Sequence, residues 1–146
     1  MDKANFIRKA RTPAVSIDIK DSEGGLLKTV LFDPSDARGA KVFAEMIKKT
    51  SGIDDLLKDA GSEQDSVIAV VNTLDDIFAD LDKIFGKGTT EILTYGVINE
   101  ESIESLKEFL DIVTPFYIKA AEEREGRLKL YAAKAVKDEQ ASSGSA

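Results

Sequence analysis

Three acidic residues with the spacing of a calcium loop form the first chemistry-bearing pattern in the chain. Asp80, Asp82 and Glu91 occupy its positions one, three and twelve. Such a loop also needs an oxygen ligand at position five and a glycine at position six, where the backbone turns sharply. Those positions hold Ile84 and Phe85, so the acids read as a helix surface. Gly86-Lys87-Gly88-Thr89 has the look of the end of a phosphate-cradling loop. That loop requires an earlier glycine, at the place of Leu81, and a preceding strand. Neither is present, and the two glycines read as the end of one helix and the start of another. Asp75-Asp76 and Glu100-Glu101 could supply paired carboxylates for acid–base work, but adjacent acids on a helix point in different directions. The chain has no His and no Cys. Zinc and iron–sulfur sites with the usual ligands, thiol nucleophiles, histidine bases and Ser-His-Asp triads are thereby excluded. No catalytic residue, metal site or cofactor is assigned, and an enzyme is the least favoured reading.

At 146 residues, 42% hydrophobic and 32% charged, the sequence fits one soluble globular domain. Its net charge of −7 is unevenly spread: residues 51–82 carry nine acidic groups and one basic, whereas residues 1–50 and 119–137 are each +3. Nucleic-acid binding calls for clustered Lys and Arg, so this balance argues against it. The acidic stretch is a solvated helix face or a docking surface for a basic partner. No apolar run approaches the roughly 20 residues of a membrane span. The basic N-terminus, MDKANFIRKARTP, lacks the apolar core of a secretory signal. A soluble protein of the cytoplasmic type is expected, with no membrane partner.

Val15, Ile17 and Ile19 alternate with Ser16, Asp18 and Lys20, the period of a half-buried strand. A polar turn, Asp21–Gly25, and a second apolar run, Leu26–Phe32, complete a β-hairpin that must pack on helices to be stable. Phe32-Asp33-Pro34-Ser35-Asp36 reads as a helix entry, with Asp33 or Ser35 capping and Pro34 in the first turn. That helix is expected to run to about Lys49, followed by a short helical turn over residues 53–58 and a break at Ala60-Gly61-Ser62. The next helix, capped by Ser62, carries Val67, Ile68, Val71, Leu74, Ile77, Phe78, Leu81, Ile84 and Phe85 at amphipathic spacing and stops at Gly86. A short unit opened by Thr89 or Thr90 closes at Gly96. Asn99 then caps a long helix with Ile103, Leu106, Phe109, Leu110, Val113, Phe116 and Tyr117 on its buried stripe, and Pro115 is expected to kink it. The fold class is α+β, mainly α: an N-terminal β-hairpin packed on four to five helices, the last one long. A flexible segment over 1–13, one domain over 14–137 and a flexible tail over 138–146 complete the organisation.

Beyond Pro115 the last helix carries fewer large apolar residues per turn, yet Leu128, Leu130 and Tyr131 remain beside Arg124, Arg127, Lys129 and Lys134. A helix that outruns its own core usually docks on another chain. Phe109, Phe116, Leu128 and Tyr131 are therefore the candidate apolar contacts, and Arg124 and Arg127 the candidate charged ones.

The order of these elements is similar to that of the tail assembly chaperones of long-tailed phages infecting Gram-positive bacteria. The resemblance rests on the strand pair, the FDPSDA helix entry (Phe32–Ala37), the acidic helix ending in Ile84-Phe85-Gly86-Lys87-Gly88-Thr89, the unit closing on Tyr95-Gly96, and the long helix with Phe109 and Pro115-Phe116. It spans about residues 14–137, with Phe85, Gly86, Gly88, Thr89 and Gly96 as its signature positions. The resemblance implies a non-enzymatic factor of the bacterial host cytoplasm, absent from the mature virion. Such a factor binds and solubilises the tape measure protein and helps recruit the major tail protein; self-association into a homo-oligomer is compatible with it. The alternatives are a structural subunit of a phage or other large assembly, pairing strands through the hairpin edge, and a small helical adaptor or regulator.

Overall fold

The computed structural model describes residues 2–10, 15–58 and 63–143. Two strands, β1 (Val15–Lys20) and β2 (Leu26–Phe32), are followed by α1 (Ala37–Lys58), α2 (Glu63–Phe85), α3 (Thr89–Thr94) and α4 (Glu100–Ser143). The strands form the expected antiparallel hairpin, with Val15 opposite Phe32 and Ile19 opposite Lys28. Asp21 shapes the turn: its Oδ1 accepts from the Glu23 N–H (2.9 Å) and the Gly25 N–H (2.7 Å). A bulge between Ile19 and Lys20 puts Lys20 opposite Leu26 and leaves Leu27 as the extra residue. Val30 and Phe32 point into the core, with Val15, Ile17 and Ile19 packed beside them.

The entry to α1 differs from the expectation. Asp33–Asp36 is a β-turn closed by the Asp36 N–H donating to the Asp33 carbonyl (3.2 Å), and Pro34 occupies its second position. Asp36 is the helix cap: its Oδ1 accepts from the Arg38 N–H (3.1 Å), and its carbonyl accepts from the Ala40 N–H (2.9 Å). The helix also does not stop at Lys49; α1 is one helix of 22 residues. Phe43, Met46, Thr50 and Ile53 lie along one buried stripe, so tertiary burial carries the helix through Thr50-Ser51-Gly52. The hydroxyls of Thr50 and Ser51 fold back onto the Met46 and Ile47 carbonyls at 2.8 and 3.1 Å. The expected break at residues 60–62 and the Ser62 cap lie outside the described residues.

Helix α2 buries Val70, Leu74, Ile77, Leu81 and Phe85, whereas Val67 and Ile68, expected on the same stripe, are exposed. Asn99 caps α4 reciprocally with Ser102: Asn99 Oδ1 accepts from the Ser102 N–H (2.9 Å), and the Asn99 N–H donates to Ser102 Oγ (2.8 Å). Helix α4 runs unbroken through Pro115 for 44 residues. Proline removes only the bond to the carbonyl of Asp111, and both residues face solvent. The helix continues to Ser143, so residues 138–143 are helical.

An aromatic cluster joins hairpin to helices. The Phe85 ring meets Phe32 and Phe109 edge-on, each at 5.1 Å, and Tyr117 stacks on Phe43 at 4.1 Å with planes 8° apart. Each such pair adds about 0.5–1.5 kcal/mol beyond the area it buries.

Candidate functional site

Four of the five positions that carry the resemblance, Phe85, Gly86, Gly88 and Thr89, lie at the reversal between α2 and α3. Gly86 and Gly88 hold φ of +104° and +90°, which a side chain at either position would strain. Between them the Lys87 carbonyl accepts from Lys28 Nζ at 2.9 Å, tying β2 to the junction. Thr89 is fully buried, and its hydroxyl donates to the Gly86 carbonyl (2.8 Å). Gly96, at φ +72°, follows Tyr95 at +56°, and together they turn the chain out of α3. All five positions serve the fold, with Phe85 at the centre of the aromatic cluster.

Neither Thr89 nor Thr90 caps α3. Gly88 stands at the cap position without a side chain to offer, and the acceptor comes from the preceding helix. Asp82 Oδ1 lies 2.9 Å from both the N and Oγ1 of Thr90. Sequence reasoning missed this contact because Asp82 is eight residues upstream and local capping rules look no further than a turn. The other acids of the calcium-loop spacing are dispersed as well: Asp80 pairs with Lys49 at 3.2 Å, and Glu91 is exposed. Among the described residues no three acidic side chains converge on a common point.

The candidate partner residues separate into two groups. Phe109 is 5% exposed and belongs to the core, so it is withdrawn from the partner surface. Phe116 is divided: its ring packs edge-on against Phe32 at 6.1 Å, yet it is 39% exposed. Arg124 donates from Nη2 to the Ser35 carbonyl (3.2 Å), which pins α4 to the turn before α1 rather than leaving the guanidinium free. Arg127 and Leu128 are exposed, Leu128 by 62%, and Lys129 pairs with Glu125 at 3.2 Å. The Tyr131 side chain lies outside what the structure describes.

The spacing along α4 relates the two groups. Leu106, Phe109, Leu110, Val113, Tyr117 and Ala120 are the buried series. Steps of three and four residues carry that series on to Arg124, Leu128 and position 131. Arg124 makes the last described contact with the body; the 19 residues from 125 to 143 extend about 28 Å further at 1.5 Å per residue. The core-facing stripe of α4 therefore continues past the core as far as Leu128, which is exposed. Leu130, Ile112 and Ile118 are exposed apolar residues on other faces of the helix.

No helix among the described residues is long and apolar enough to cross a membrane. Comparison with known protein families, curated proteins and solved structures finds no match for the chain.

Proposed function

We propose that this protein is a non-enzymatic assembly chaperone of the phage tail type, acting in the bacterial host cytoplasm on the tape measure protein and the major tail protein. The overhang of α4 is the observation that carries the reading. Its core stripe emerges from the body still apolar at Leu128 and still rimmed by cations, which suits a helical partner laid along it. The resemblance in element order and at Phe85-Gly86-Lys87-Gly88-Thr89 supplies the partner's identity. Leu128 and Tyr131 provide the apolar anchors, and Arg127 and Lys134 set orientation, because rim charges act mainly on association rate.

Co-expression with the tape measure protein tests this. Wild-type chain keeps that protein soluble, and Leu128→Ala with Tyr131→Ala loses most of the effect, while Lys134→Ala keeps it. Unchanged solubility with the folded double variant sinks the site. A second reading, a structural subunit that pairs strands with a neighbour, draws on one feature: among the described residues β1 hydrogen-bonds only to β2, leaving its outer edge open. Recovery of the chain in finished particles would favour that reading over a chaperone.

A further inference from the structure

A shallow groove of about 300 Å³ opens between α2, α3 and the loop before α4, lined by Asp75, Phe78, Asp82, Glu91, Thr94 and Ile98 among others. Phe78 and Ile98 are half-buried, so its floor keeps apolar surface open to solvent. The chain around Gly96, which also lines it, exposes two further apolar side chains, Tyr95 by 86% and Val97 by 50%. Apolar surface of this kind with a polar rim is the pattern of a contact site, and an aromatic residue is its usual anchor. The rim has one sign of charge: among the described residues it carries three acids and no base. Asp75 and Glu91 are exposed, and neither forms an ion pair among the described residues.

A segment of complementary character stands at the other end of the same chain. Residues 2–10 form neither helix nor strand and are exposed throughout. Within them Phe6 and Ile7 are 91% and 87% exposed. Lys3 precedes this apolar pair and Arg8 and Lys9 follow it directly, against a single acid, Asp2. Two adjacent large apolar side chains left in water gain free energy from any apolar surface that covers them. The flanking cations select an acidic surface over a neutral or basic one.

We propose that the N-terminal segment of one copy of this chain docks in the groove of a second copy. Phe6 and Ile7 cover Phe78, Ile98 and Tyr95, while Arg8 and Lys9 face Asp75, Asp82 and Glu91. In the single chain Phe6 and Ile7 remain in solvent, so the occupant is the segment of another copy. The contact is independent of the chaperone reading, since it uses the body and the N-terminal segment and not the overhang of α4. A chain that fails to self-associate leaves the co-expression test of that reading untouched.

Sedimentation velocity of the full chain over a concentration series, at low and at high sodium chloride, tests the proposal. The wild-type chain is expected to pass from the 15.9 kDa monomer to higher mass as concentration rises, and added salt weakens the association. Phe6→Ala with Ile7→Ala, and separately Asp75→Lys with Glu91→Lys, each weaken it about tenfold or more with the circular dichroism unchanged. Glu45→Lys, exposed on α1 outside the groove, leaves it near wild type. Mixing gives the decisive result. A chain with Arg8→Glu and Lys9→Glu keeps a native groove, and one with Asp75→Lys and Glu91→Lys keeps a native segment. Each alone associates poorly, and the two together associate, because the native segment of one fits the native groove of the other. A wild-type chain that stays at monomer mass up to millimolar concentration overturns the proposal. So does association that survives either pair of groove or segment substitutions, and so does a mixture that associates no better than its components.

Discussion

Asp82, near the end of α2, caps α3 through Thr90: one carboxylate oxygen stands 2.9 Å from both the backbone nitrogen and the hydroxyl of that residue. The contact locks the two helices across the Gly86–Gly88 reversal, where a bare glycine occupies the cap position. Loss of a helix cap costs about 1–2 kcal/mol, and Asp82 is half-buried, so solvent replaces it poorly. Asp82→Ala is expected to lower the urea unfolding free energy by that amount, and Asp82→Asn, which keeps an acceptor, by less. A wild-type midpoint for Asp82→Ala would make the contact incidental.

Tyr117 gives the molecule an alkaline limit. Its phenol is raised from 10.0 to about 12 in the fold, by burial and then by Asp36 and Asp33. Below pH 10 the phenol is protonated in both states, and this contribution to stability is fully present. Between pH 10 and 12 the unfolded chain releases the proton while the folded one retains it, so stability falls as pH rises. The shift corresponds to a loss of at most about 3 kcal/mol. The difference between wild type and Tyr117→Phe isolates the contribution of the tyrosine. Parallel stability curves for the two proteins from pH 9 to about 12 would contradict the assignment.

Gly52 lies in the interior of α1, and a Cβ built there meets nothing within 4 Å. Helix interiors favour Ala over Gly by about 0.5–1 kcal/mol, chiefly through the entropy of the unfolded chain. Gly52→Ala is therefore expected to raise the thermal midpoint with no change in the rest of the fold. A lowered midpoint would show that residues 49–53 are not the continuous helix described.

The same helix shows what was legible from sequence. The hairpin, the Asn99 cap and most of the α2 stripe follow from period, turn chemistry and capping rules, all of which act within a few residues. The continuation of α1 past Lys49 does not, because Thr50-Ser51-Gly52 has a poor local preference and only Ile53, buried against other elements, decides the outcome. Val67 and Ile68 fit the helical spacing yet remain exposed, since period alone cannot say where a neighbouring element ends. At the candidate site, Leu128 was legible as an apolar residue beyond the core. Phe109 was not separable from it, because a core stripe and a docking stripe have the same spacing, and burial alone distinguishes them. From sequence Arg124 is a candidate charged contact for a partner; its bond to Ser35 spans 89 residues of sequence and has no local signature.

That division predicts how α4 responds to shortening. Phe109 packs against Phe85 in the core, so Phe109→Ala is expected to cost about 3–5 kcal/mol and to compromise folding. Arg124 makes the last described hydrogen bond to the body, and the helix after Glu125 is held by its own backbone bonds. A chain ending at Glu125 should then unfold at nearly the same urea concentration as the full protein, losing only the circular dichroism of the removed turns. Under the proposed chaperone function it should at the same time fail to keep the tape measure protein soluble, because the proposed anchors Leu128 and Tyr131 are gone. Arg124→Ala within the full chain should lower stability by about 1 kcal/mol, the value of one hydrogen bond from a charged donor, and leave partner binding near wild type. A shortened chain that unfolds on its own would make the overhang part of the fold. One that folds and still solubilises the partner would move the binding surface back onto the body, to Phe116 and the exposed faces of Ile112 and Ile118.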